Sequence, residues 1–227
     1  MATRGKRYTE ANTKVQRDKL YPLEDAIALL KECATAKFPE SIEVHVRLGV
    51  DTKKGEEQVR ATATLPNGTG KERRVAAFVP DDLIAEAKKA GADIVGNEDV
   101  IANIKQTERT DFDVAVAHPS LMPKLAQIAK ILGPRGLMPS PKNDTVTPSP
   151  GKVIAELKGG KIAFRNDEGG NIHQIVGKVS WETPKLVENI TTLLDAIRRA
   201  KPPSAKGTYM ASVVICSSMG PGIRVAV

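Results

Sequence analysis

The stretch Leu65-Pro66-Asn67-Gly68-Thr69-Gly70-Lys71 separates two kinds of sequence. Pro, Asn and Gly crowded together punctuate a chain, because Pro cannot continue a helix and Gly and Asn tolerate left-handed backbone. Before this punctuation the pattern is amphipathic. From Ser41 to Val50, Ile42, Val44, Val46 and Leu48 alternate with Glu43, His45 and Arg47, which predicts a half-buried strand. Val59–Leu65 suggests another strand. Further upstream, Leu23, Ile27, Leu30 and Ala34 share one face of a helix, with Pro22 suited to its first turn and Pro39 ending the segment.

Beyond Gly70 the alternation disappears. Arg74–Val79, Ala92–Val95 and Phe112–Ala117 are short apolar runs. Helical segments follow each of them: Pro80 through Leu83, Ile84 and Ala87 to Gly91, then Val100–Lys105, then Leu121–Leu132. Apolar strands in a β-α-β-α-β-α order predict a mostly parallel sheet covered by helices. A Pro- and Gly-rich loop fills 133–150, and a helix over Val153–Leu157 leads to a second punctuation at Gly159-Gly160.

After Gly160 the amphipathic grammar returns. Lys161–Arg165 and Ile172–Val179 predict strands flanking a hairpin turn at 166–171. Pro184–Arg199 predicts a helix burying Leu186, Ile190, Leu193, Leu194 and Ile197, stopped by Pro202-Pro203; Tyr209–Cys216 and Gly222–Val227 predict final strands. The simplest architecture is α/β with two domains. Residues 1–67 and 160–227 form a discontinuous two-layer α+β domain, and 68–159 form an inserted three-layer α/β domain.

Charge follows the same division. The net charge is +7. Residues 1–20 carry six Lys/Arg against two acids and 159–227 carry nine against five, whereas 66–158 carry thirteen against twelve. Excess cations at the two ends favour a polyanionic partner. The arm Arg4, Lys6, Arg7, Lys14, Arg17, Lys19 offers phosphate contacts. Two cysteines without C-x-x-C spacing, no apolar run of membrane length and a polar N-terminus lead to a cytoplasmic protein with free thiols and no membrane partner.

Catalytic chemistry finds no support. Gly70-Lys71 sits where a phosphate loop would end, but Leu65 takes the first glycine position and Glu72 the Ser/Thr position, so cradle and magnesium ligand are missing. No G-x-G-x-x-G follows the first central strand. His45, His118 and His173 lie far apart in sequence, and no metal site is expected. Ser217-Ser218-Met219-Gly220 lacks the nucleophile elbow. Paired acids Asp81-Asp82 and Glu98-Asp99 suit helix starts. Neither an enzyme nor a cofactor is expected. RNA recognition fits better: Arg165, Asn166, Asp167 and His173 gather around one turn, and Lys37 and Phe38 precede a strand. Such mixtures serve phosphates, 2′-OH groups and base edges. An Arg165–Asp167 pair that merely holds the turn explains part of the same pattern.

Several stretches together resemble one family. They are Glu40–Asp51, Ile131-Leu132-Gly133-Pro134-Arg135-Gly136-Leu137-Met138-Pro139, Phe164-Arg165-Asn166-Asp167, Gly170-Asn171-Ile172-His173, Val176-Gly177-Lys178, Lys206-Gly207-Thr208 and Ser218-Met219-Gly220-Pro221. They are similar to the bacterial form of the large ribosomal subunit protein one family, in order and over essentially the whole chain. The resemblance implies an rRNA-binding domain built from both termini and a Rossmann-like α/β insertion. It implies a structural constituent of the large subunit, monomeric within the ribosome. That constituent forms the mobile stalk at the tRNA exit site and assists release of deacylated tRNA. It further implies repression of translation by binding the protein's own mRNA leader. The family's rRNA-binding positions carry over to Lys37, Phe38, Ser41 and Glu43, to Arg165, Asp167 and His173, and to Ser218, Met219 and Gly220. At 218 the family pattern has Thr; Ser keeps the hydroxyl and loses the methyl. Ser41, Glu43, Asp167 and Ser218 are expected as buried polar contacts. Phe38 and Met219 would otherwise read as core. The competing classes are a nucleotide-binding central domain and a general nucleic-acid chaperone.

Overall fold

The computed structural model describes residues 5–226; Arg4 of the basic arm and Val227 lie outside the described residues. The elements in chain order are α1 (Lys6–Thr13), α2 (Leu23–Cys33), β1 (Ser41–Leu48), β2 (Arg60–Thr64), β3 (Val75–Phe78), α3 (Ile84–Lys89), β4 (Ile94–Gly96), α4 (Glu98–Thr107) and β5 (Val114–Ala117). Then come α5 (Met122–Leu125), α6 (Ala129–Leu132), α7 (Pro150–Lys158), β6 (Lys161–Arg165), β7 (Asn171–Lys178), α8 (Thr183–Arg199), β8 (Met210–Ser217) and β9 (Ile223–Val225). The chain divides into two compact units, 1–70 with 163–227, and 71–162.

The unit built from both ends carries a four-stranded antiparallel sheet in the order β7-β1-β8-β9. Alternation sets its two faces. Ile42, Val44, Val46 and Leu48 are buried on the side where α2 and α8 pack. Ser41, Glu43, His45 and Arg47 point to the open side, partly or fully exposed. Helix α8 buries Leu186, Ile190, Leu193, Leu194 and Ile197 as its periodicity predicts, and buries Asn189 as well. Helix α2 stops at Cys33 and leaves Ala34 outside the last turn, well before Pro39.

The predicted hairpin at 166–171 does not form. The turn itself is tight: the Asp167 N–H donates to the Asn171 carbonyl at 2.8 Å, and Gly170 adopts positive φ at 77°. The flanking strands nevertheless part. β7 pairs with β1, whereas β6 joins β2 in a separate two-stranded sheet. Asn166 directs this split, since its N–H donates to the Val59 carbonyl (3.1 Å) and its Oδ1 accepts the Val59 N–H (2.7 Å). Those bonds draw the end of β6 towards the β2 segment.

Residues 71–162 hold a parallel sheet in the order β4-β3-β5. Its strands lack alternation because both faces are covered. Ala76, Phe78, Ala115 and Ala117 pack on one side with Ile101, Ile104, Leu125, Ile128 and Leu132. Val75, Ala77 and Val116 pack on the other with Ala87, Val153, Ile154 and Leu157. The single helix predicted over Leu121–Leu132 is three short turns, with a 3-10 step at Ala126–Ile128 between α5 and α6.

The punctuation that opens the sequence has a physical anchor. The buried Asn189 amide accepts the Asn67 N–H (3.1 Å) and donates to the carbonyls of Gly68 (2.9 Å) and Val176 (2.7 Å). Gly70, at φ +70°, leaves room for Trp181, whose ring would lie 2.9 Å from an added Cβ.

Candidate nucleic-acid interface

The predicted site residues fall into two groups on or beside the open face of the four-stranded sheet, with Arg165 beside the second, in a cleft that Asp167 also lines. The first group surrounds Glu40, a residue to which no role was predicted. Its carboxylate is buried at 3% exposure. One oxygen accepts the Ala36 N–H at 2.9 Å. The other accepts the Ser217 hydroxyl at 2.7 Å and the Met219 N–H at 3.0 Å. Burial works against ionisation of Glu40. The Ser217 hydroxyl, the two amides and the Arg7 charge outweigh it and hold the carboxyl below its ordinary value.

That carboxylate joins two segments distant in sequence. Beside it the Ser218 hydroxyl accepts the Ser41 N–H (3.1 Å), the Ser218 N–H donates to the Ser41 carbonyl (3.1 Å), and Lys178 Nζ donates to Ser41 Oγ (2.8 Å). The clamp presents Lys37 and Ser218 exposed and Gly220 half-buried. Phe38 is 50% exposed and Met219 51%, so neither is core filler. An exposed aromatic ring and a polarizable thioether, flanked by a hydroxyl and cations, suit contact with ribose and bases.

The second group is centred on Asp167 and His173. Asp167 Oδ1 accepts the N–H groups of Gly169 (2.9 Å) and Asn171 (2.7 Å), and Oδ2 lies 3.4 Å from His173 Nε2. The Asn171 amide, ahead of the other donors, holds the Asp167 carboxyl below its ordinary value. The turn is thus held by backbone amides and not by an Arg165–Asp167 pair. Arg165 is exposed on β6 in a cleft of about 260 Å³ that Arg60, Asn166, Asp167 and Glu168 also line. The expectation of buried polar contacts is corrected. Ser41 and Glu43 are half-buried, Asp167 and Ser218 exposed, because all four lie on an open sheet face or a turn.

Sequence distance separates the histidines; the fold does not. In the β1–β7 register His45 faces His173, and their Nδ1 atoms lie 2.6 Å apart. His45 Nε2 is 3.1 Å from Cys216 Sγ and 3.8 Å from Glu43 Oε2. The spacing argument against a metal site therefore fails for these two rings, since pairing of distant strands supplies what linear spacing does not. His118 is elsewhere, bonded to Ser120. Cys33 and Cys216 are both free thiols. Nothing in the sequence marked Glu40 as buried.

The model of the ribosomal protein L1p/L10e family matches residues 30–221, which include both groups. The chain belongs to this family. As a member of it, the protein is a structural component of the large ribosomal subunit that binds rRNA, and it is not an enzyme. Its place in the cell is the ribosome. Among the described residues no helix is long and apolar enough to cross a membrane.

Proposed function

We propose that the protein grips its rRNA through the Glu40 clamp and the adjoining open sheet face, and that Lys37, Phe38, Ser41, Glu43, Arg165, Asp167, His173, Ser218, Met219 and Gly220 form the contact surface. The single observation that carries this reading is the clamp, which holds Phe38 and Met219 half out of the protein beside the exposed Ser218 hydroxyl. Exposing two large apolar side chains next to cations is costly unless a partner covers them. The unit formed by 1–70 and 163–227 is the rRNA-binding domain, and 71–162 is a Rossmann-like insertion. The bound protein forms the mobile stalk at the tRNA exit site and assists release of deacylated tRNA, as a monomer within the cytoplasmic ribosome. The same surface takes the leader of its own mRNA, so rRNA and leader compete.

The test is competition binding at fixed moderate salt. Full-length protein is offered its stalk rRNA fragment against an unrelated structured RNA of equal length. A preference of several orders of magnitude supports specific recognition. Equal affinity would recast the protein as a general RNA chaperone. Phe38→Ala should weaken specific binding by ~1–3 kcal/mol, the typical loss of a stacked contact, with thermal unfolding unchanged because the ring is half exposed. Displacement of bound rRNA by the mRNA leader tests repression. Slowed release of deacylated tRNA from ribosomes lacking the protein tests the stalk role.

A further inference from the structure

His45, to which no rRNA contact is assigned, lies at the centre of a cluster with Cys216, Glu43 and His173. Its two ring nitrogens point at different partners. Nδ1 meets His173 Nδ1 at 2.6 Å, and Nε2 faces Cys216 Sγ at 3.1 Å and Glu43 Oε2 at 3.8 Å. The three donor atoms Glu43 carboxylate, His45 Nε2 and Cys216 Sγ lie within 4.8 Å of one another.

The tautomers follow from the end of the chain of contacts. Asp167 is an ionised acceptor, so His173 Nε2, 3.4 Å from it, carries the proton. His173 Nδ1 is then a lone pair and accepts from His45 Nδ1–H. That leaves His45 Nε2 as a lone pair directed into the group formed by Cys216 and Glu43. A ligating imidazole requires this arrangement: one nitrogen held by a hydrogen-bonded partner that fixes the ring, the other free to coordinate.

We propose that Glu43, His45 and Cys216 form a zinc-type site on the open face of the sheet, with His173 and Asp167 as positioning residues. A tetrahedral ion with bonds of ~2.0–2.3 Å keeps its ligand atoms roughly 3.3–3.7 Å apart. The observed His45–Cys216 and His45–Glu43 separations lie on either side of that range, and Glu43 and Cys216, within 4.8 Å of each other, are brought into it by a side-chain shift of about an ångström. One carboxylate, one imidazole and one thiolate select a borderline or soft divalent ion over magnesium or calcium. The placement is rigid, since Glu43 faces Cys216 directly in the β1–β8 register. The fourth position faces the open side of the sheet and takes water. Cys216 enters as S–H, a sulfur–metal bond replaces the S–H bond, and one proton leaves to the buffer for each ion bound.

The experiment uses untagged full-length protein, reduced and stripped with chelator, titrated with Co²⁺ as the spectroscopic probe and Zn²⁺ as competitor. The expected result is one ion per chain with a thiolate-to-cobalt charge-transfer band that Zn²⁺ abolishes. Calorimetry in buffers of different ionisation heat should give one proton released. Cys216→Ser should remove the band, and Cys33→Ser should keep it. His45→Ala should weaken binding at least 10-fold. His173→Ala should weaken it ~10–100-fold, as loss of an outer partner does, with the band shape unchanged. Circular dichroism confirms that each variant is folded, and the conservative Cys216→Ser change keeps the test valid if His45→Ala is not. Absence of the band in the parent protein, or its survival in Cys216→Ser, would overturn the site.

Discussion

Replacing Glu40 with Gln tests the clamp at its centre, because shape is conserved while acceptor capacity is halved. The carboxylate now serves three donors, one on the oxygen facing Ala36 and two on the oxygen facing Ser217 and Met219. A Gln amide has one oxygen. Turned towards Ser217 and Met219, it sets its own NH2 against the Ala36 N–H; turned the other way, its NH2 donates to a rotated Ser217 hydroxyl but faces the Met219 N–H. Either orientation strands one part-buried N–H, which costs ~1–3 kcal/mol, and the remaining bonds lose their charge assistance. Relief of the buried charge offsets part of this. We expect a net loss of about 1–3 kcal/mol by urea unfolding, followed by fluorescence of Trp181, the only Trp in the chain. The pH dependence gives a second readout. The folded carboxyl titrates below its ordinary value of 4.5. Its contribution is therefore fully present above pH 4.5 and fades as pH falls through the lower folded value. The stability gap between parent and Glu40→Gln should narrow over that acid range. rRNA affinity should drop with stability, because the loop carrying Ser218 and Met219 loses an anchor. A variant as stable as the parent at neutral pH, with unchanged rRNA affinity, would refute the clamp.

Three further outcomes are expected. Ser218→Ala removes the acceptor of the Ser41 N–H at an exposed position where water substitutes; it should weaken rRNA binding in a filter assay at controlled salt and leave the unfolding midpoint nearly unchanged. Lys6→Ala should weaken binding modestly and reduce the salt dependence of affinity by about one phosphate contact, read from the slope of log affinity against log salt. Asn189→Leu strands the buried Val176 carbonyl and, at part-buried positions, the Asn67 N–H and the Gly68 carbonyl; it should cost ~2–4 kcal/mol in urea unfolding.

The alternating run Ser41–Leu48, the periodicity of α8 and the non-alternating strands β3 and β5 were legible without coordinates, because each periodicity reports which sides of an element meet a core. The Pro-Asn-Gly-Thr-Gly signal marked a real change of grammar for the same local reason: few residues tolerate those backbone angles. The motifs that pointed to the ribosomal L1 family are local strings, and the family match spans them. Tertiary structure alone decided the partners. Which strand receives β6, which histidine faces His45, and which carboxylate ties residue 36 to residue 219 all depend on register between segments more than a hundred residues apart. Buried polar groups are sequence-silent in the same way. Glu40 and Asn189 look like any surface residue until the donors around them are in place. Sequence patterns encode a residue's preference for water or core, whereas the pairing of one polar atom with another is fixed only when the chain closes upon itself.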